Sequence, residues 1–162
     1  HGRTAQQKYR GMANWSQISE VKKHVKRIPV VGNGDIRSAE QVLLALTEFG
    51  VDGVMIGRAA LSRPWIFREA AALLAGRAIP PEPTAEEQFE LFMQLYRQLE
   101  VCFGNVKAGI LMRRFASRFV TARQGAKRFR ALIHAANSQT QLLNYLREFF
   151  LHGGVINNEL NK

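Results

Sequence analysis

Ile28-Pro29-Val30-Val31-Gly32-Asn33-Gly34-Asp35-Ile36 reads as a short buried strand that runs into a glycine-rich loop. Val30, Val31 and Ile36 are β-branched, and Pro29 stands at the strand's start, where a missing N–H is tolerated. Gly32 and Gly34 permit backbone angles that other residues avoid, and they leave N–H groups uncovered. Ser38-Ala39-Glu40-Gln41 then opens a helix with a capping box, the Ser38 hydroxyl facing the Gln41 N–H. A strand, a glycine loop and a helix N-terminus in succession form a seat for an anion.

The same grammar returns about twenty residues later. Val51-Asp52-Gly53-Val54-Met55-Ile56 is a second apolar strand, Gly57-Arg58-Ala59-Ala60 its loop, and Pro64 suits the first turn of the next helix. Between the strands, Val42, Leu43, Leu46 and Phe49 recur at helical spacing, and Gly50 supplies the stop. This βαβα run predicts parallel strands joined by right-handed crossovers. Turn chemistry alone would explain one loop rich in Gly, Asn and Asp. Two in succession, the second ending in Gly57-Arg58, favour a phosphate site like the one after the last two strands of a TIM (β/α)8 barrel.

Upstream, His1-Gly2-Arg3-Thr4 reads as the loop end of a further strand, so the chain opens inside a motif and a preceding segment is expected. Ala5 to Gly11 is a loop offering Gln6, Gln7, Lys8, Tyr9 and Arg10. Asn14 caps a predicted helix from Trp15 to Val25, with Trp15, Ile18, Val21 and Val25 inward and Lys22, Lys23 and Lys26 solvated near its C-terminus. Pro64-Trp65-Ile66-Phe67 begins a helix that stops at Gly76, with Trp65 and Phe67 as packing residues. Residues 77–83 hold three of the five prolines and read as a linker.

Beyond the linker the period is helical throughout. Thr84-Ala85-Glu86-Glu87 is a capping box, and Phe89, Phe92, Met93, Leu95, Tyr96 and Leu99 make one apolar face. Further helices are predicted from Val106 to Thr121 (Ile110, Leu111, Phe115, Phe119 and Val120 inward), from Ala126 to Ala136, and from Ser138 to Leu151. Short connectors make an antiparallel bundle. Residues 153–162 read as a flexible tail.

The chain has 162 residues and a formal charge of +10, which favours a polyanionic partner. Residues 101–147 contain no Asp or Glu but nine Lys or Arg. Arg114 and Arg118 share one helix face, while Phe115 and Phe119 share another. A solvated helix face usually mixes signs, so this patch points to nucleic acid, read through shape and phosphate. No apolar run approaches the roughly 20 residues that span a bilayer. A single cysteine, Cys102, excludes an internal disulfide and fits a reducing, cytoplasmic setting.

Together, His1-Gly2-Arg3-Thr4, Gln7, Tyr9, residues 29–36, Asp52 to Leu61 and Pro64 to Phe67 resemble the C-terminal part of a tRNA-dihydrouridine synthase. The resemblance covers nearly the whole chain. It implies an α/β fold followed by an all-α one: the last strands of an incomplete FMN barrel at residues 1–76, the linker, and a helical tRNA-binding domain at residues 84–152. It implies reduction of uridine to 5,6-dihydrouridine in tRNA, with FMN as cofactor and NADPH as reductant, by a protein that is monomeric at full length and has no metal, membrane or DNA. His1, Asn33, Gly34, Asp35, Gly57 and Arg58 are the implied FMN-binding residues, and Arg3, Arg113, Arg114, Arg118 and Lys127 the implied tRNA contacts.

Ala5 and Asn14 depart from the residues common in the family, Arg and Asp. The family's general-acid cysteine is expected upstream of this chain, so no catalytic residue is assigned and the chain alone is expected to be inactive. Cys102 reads as structural. Two other readings fit the residues: a non-catalytic RNA-binding homologue, and a different FMN or phosphate-binding barrel enzyme.

Overall fold

A computed structural model describes residues 1–8, 10–120 and 123–152. Tyr9, Thr121 and the expected tail at 153–162 lie outside the described residues. The chain divides into two compact units, His1–Pro81 and Glu82–Lys162.

The first unit is built on two parallel strands, β1 (Val31–Asn33) and β2 (Gly53–Met55), in the register Val31↔Gly53, Gly32↔Val54, Asn33↔Met55. Both are shorter than the apolar runs that announce them. At their N-terminal end Asp52 ties three segments together. Its carboxylate accepts from the Val30 N–H at 2.7 Å and pairs with Lys22 at 2.6 Å, and its own N–H donates to the Val30 carbonyl at 2.9 Å. Lys22 is therefore engaged, whereas the sequence places it on a solvated face. On the other flank of β1, the Gly2 N–H donates to the Asn33 carbonyl at 3.2 Å and the Gly2 carbonyl accepts from the Asn14 N–H at 2.6 Å. Only glycine fits there, because a Cβ on Gly2 would lie 2.8 Å from the Asn14 backbone.

Helices flank this pair as the crossover pattern requires. α1 (Trp15–His24) starts at Asn14, whose side chain accepts from the Gln17 N–H. α2 (Ala39–Thr47) starts at Ser38, whose hydroxyl accepts from the Gln41 N–H. Ile18, Ile36, Val42, Ala45, Val51 and Ala70 form the core between helices and strands. Val21, expected inward, is 54 % exposed. The loop expected at 57–60 is instead helical: α3 (Arg58–Ser62) begins directly after Gly57. Pro64 lies ahead of the next helix, α4 (Ile66–Leu74), whose N-cap is Trp65. Trp65 is buried as expected, but Phe67 is on the exposed face.

The second unit is all helical: α5 (Ala85–Phe119), α6 (Ala126–Ala135) and α7 (Gln139–Leu151). The Thr84–Glu87 capping box is complete at the start of α5. Two helices joined by a connector are expected here; the structure runs them together, broken only at Gly104 (φ 73°, ψ 165°). Glycine reaches this left-handed φ without the Cβ penalty, so one residue replaces a loop. Ala108, Met112 and Ala116 are fully buried on α5, and Phe92, Phe119, Phe129, Phe149 and Phe150 fill the space between the helices. Phe129 and Phe149 stack with centroids 4.2 Å apart, and Phe92 meets Phe119 edge-on at 4.6 Å. Ile110, expected inward, is exposed because the core stripe after the kink runs through residues 108, 112 and 116. Cys102, expected to be structural, is an exposed free thiol just before the kink.

Candidate functional site

At the C-terminal ends of β1 and β2 lies a cleft of about 600 Å³, lined by His1, Arg3, Lys8, Asn33, Asp35, Ile36, Arg37, Met55, Gly57, Arg58, Ala59, Ser62 and Arg63. The two loops singled out by the sequence meet here. Among the lining residues, five Lys or Arg side chains accompany a single carboxylate, Asp35.

Asp35 organises the cleft. It sits at φ 50°, a left-handed position that Asp tolerates better than most residues. There its carboxylate accepts the Ala13 N–H at 2.7 Å, pairs with an Arg3 guanidinium nitrogen, and accepts from Arg58 at 2.9 Å through the other oxygen. Burial opposes ionisation, but the Ala13 N–H and the Arg3 and Arg58 guanidiniums outweigh it and hold the carboxyl below its ordinary range. Both carboxylate oxygens are engaged, and they hold the Arg3 and Arg58 guanidiniums in place.

The neighbouring residues set the loop's shape. The Gly34 carbonyl accepts from the Trp15 indole N–H at 2.9 Å, and a Cβ on Gly34 would lie 2.4 Å from the Ala13 Cβ. The Asn33 side chain donates to the Met55 carbonyl at 2.9 Å, locking the two strand ends together. His1 is exposed on the cleft wall, and its Nδ1 accepts the Arg3 N–H at 3.0 Å. Gly57 opens α3 with open space where a Cβ would be. Arg58, the first residue of α3, keeps about half its side chain exposed at the cleft.

Of the expected tRNA contacts, Arg3 turns inward. One guanidinium nitrogen pairs with Asp35 and another donates to the Arg10 carbonyl at 2.8 Å, leaving the side chain 7 % exposed. Arg113 also turns inward: it donates to the Ile133 carbonyl at 2.8 Å and the Ala136 carbonyl at 2.9 Å. It thereby satisfies carbonyls at the C-terminal end of α6, a need every helix end has. Arg114, Arg118 and Lys127 are exposed.

Lys8, read in the sequence as offered by the 5–11 loop, lines the cleft, and sequence reasoning missed Arg37 and Arg63 as its companions. Arg63 is held by the buried carboxylate of Glu69 at 2.9 Å. The separation of six residues matches no helical face, so only the α3–α4 turn reveals the pair. Arg37 immediately precedes the Ser38 cap, a position that could have flagged it. Among the described residues no group of His, Cys, Asp and Glu could hold a metal ion, and no helix is long and apolar enough to cross a membrane.

The family model described as Dihydrouridine synthase (Dus) matches residues 1–152. The chain belongs to the dihydrouridine synthase family. A probable tRNA-dihydrouridine synthase of Mycobacterium leprae is 45 % identical over 107 residues, covering 66 % of this chain and 28 % of that protein. The tRNA-dihydrouridine synthase B of Pseudomonas putida is 38 % identical over 151 residues, covering 93 % of this chain and 44 % of its own length. That of Xanthomonas campestris is 34 % identical over 150 residues, with 93 % and 45 % covered. The chain therefore spans less than half the length of these dihydrouridine synthases.

Proposed function

We propose that the protein carrying these residues is a flavin-dependent tRNA-dihydrouridine synthase, reducing uridine to 5,6-dihydrouridine with FMN and NADPH. The observation that carries this reading is the cationic cleft at the ends of two parallel strands in a member of this family. The donor set fits a phosphate monoester. Arg58 and Arg37 supply planar guanidiniums, Lys8 a point charge, and the Gly57–Arg58 start of α3 supplies backbone N–H groups. These residues would hold the FMN phosphate, with Asn33 and Gly34 shaping the wall and His1 beside the rest of the cofactor. Asp35 keeps Arg58 and Arg3 in place without touching the phosphate. Bound FMN supplies the two-electron reduction.

In this reading residues 1–76 belong to a (β/α)8 barrel and residues 84–152 grip tRNA through exposed cations such as Arg114, Arg118 and Lys127. Arg3 and Arg113 serve the fold. The protein is cytoplasmic and monomeric, and works without metal. The test is genetic and chemical. Loss of the gene should abolish dihydrouridine at a defined tRNA position, read by nucleoside mass spectrometry, and the wild-type gene should restore it. Unchanged dihydrouridine at every tRNA position would overturn the reading.

A further inference from the structure

Arg58 and Arg63 stand at the two ends of α3, Arg58 as its first residue and Arg63 as its C-cap, and both line the first cleft. Each is tied to a carboxylate from outside α3: Arg58 to Asp35 and Arg63 to Glu69, each pair at 2.9 Å. Arg58 already has a place in the proposed phosphate seat; Arg63 has none.

Glu69 sits where a carboxylate is costly. It lies in the first turn of α4, yet its side chain is only 7 % exposed. An acid that served the helix dipole alone would do so from the solvent, without the cost of burial. That cost is offset here by the Arg63 guanidinium, whose own side chain stays 42 % exposed at the cleft. The buried partner is therefore the fixed one, and the exposed partner is the one on display.

The tether is single. Arg63 donates to Glu69 through Nη2, and its Nε is buried with no hydrogen-bond partner among the described residues. The Arg63 backbone is set by the two helices it joins. Its N–H donates to the Ala59 carbonyl at 2.8 Å, and its carbonyl accepts from the Ile66 N–H at 3.0 Å. With the backbone fixed and one bond at the tip, Glu69 decides where the guanidinium points. An untethered arginine would sample many rotamers and lose affinity when one is chosen. Glu69 offsets much of the charge on Arg63, so what the pair offers an anion is a placed edge of donors.

We propose that Glu69 is a positioning residue that holds Arg63 as a further guanidinium for the phosphate of the flavin nucleotide, beside Arg58. The inference rests on the flavin-phosphate reading of this cleft and deepens it.

Fluorescence titration of the complete protein with FMN, and with riboflavin, which lacks the phosphate, tests it. Arg63→Gln should raise the Kd for FMN about tenfold and leave riboflavin unchanged. Glu69→Gln should reproduce most of that loss, about fivefold. Glu69→Asp should do the same, because it keeps the charge at the start of α4 but draws the carboxylate back by one methylene. It also carries the test should Glu69→Gln not fold. In Arg63→Gln/Glu69→Gln the loss should equal that of Arg63→Gln alone, since Glu69 acts through Arg63. A lowered Tm with unchanged FMN affinity in the Glu69 variants would make Glu69 a stability residue and overturn the proposal. So would equal losses for FMN and riboflavin, or additive losses in the double variant. Arg58→Gln separates the two readings. If it weakens FMN selectively while the Arg63 and Glu69 variants do not, the positioning role fails and the phosphate seat stands. If the wild-type protein binds riboflavin as tightly as FMN, both fail.

Discussion

Asp35 shows how one side chain can hold a cluster of cations in place. Its charge is matched by two arginines, and the Ala13 N–H fixes its place. Asp35→Asn keeps the shape but leaves Arg3 with its buried guanidinium unpaired, so it should cost about 1.5 to 3 kcal/mol in denaturant unfolding. The pH dependence has a definite sign. The folded pKa lies below the ordinary value of about 3.9, so the stabilisation is present above that value and fades as pH falls through the folded pKa. The stability gap between wild type and Asp35→Asn should therefore be constant near neutrality and begin to narrow below about pH 4. A gap that does not narrow at all as pH falls below that value would show that shape, not charge, makes the difference. None of this was legible in the sequence: the partners lie 32 and 23 residues away, and nothing local announces them. Arg113 deceived for a related reason. In sequence it is one more cation in a basic run, and only its distance to two helix-end carbonyls shows its work.

At the scale of elements, local chemistry was readable and its interruptions were not. Asn14, Ser38, Thr84 and Ser138 each cap the helix expected of them, because a cap is a contact across three residues. The α3 helix escaped notice because five residues carry too little periodicity to signal one. The kink in α5 escaped because glycine marks a loop as readily as a break. Its test is Gly104→Ala. At φ 73° a Cβ is strained, so the variant should lose about 1 to 2 kcal/mol of stability. No neighbouring atom would meet the added Cβ, so the loss reports the backbone alone. An unchanged or raised stability would mean the helix straightens at no cost.

For the whole molecule, two parallel strands followed by a helical unit were legible from the change of period at the proline-rich stretch. So was the meeting of the two glycine loops, since parallel strands put both loops at one end. The proposed division of labour rests on charge. In that proposal the cationic cleft of the first unit would take one phosphate monoester, and the exposed cations of the second, such as Arg114, Arg118 and Lys127, would face a polymer.

The central claim is that the first cleft is a phosphate seat for a flavin nucleotide. The most direct measurement compares FMN with riboflavin, which lacks the phosphate, by fluorescence titration of the complete protein and its Arg58→Gln variant. The account predicts that Arg58→Gln raises the Kd for FMN about tenfold, roughly 1.4 kcal/mol, and leaves riboflavin unchanged. Equal losses for both ligands, or none for either, would contradict it.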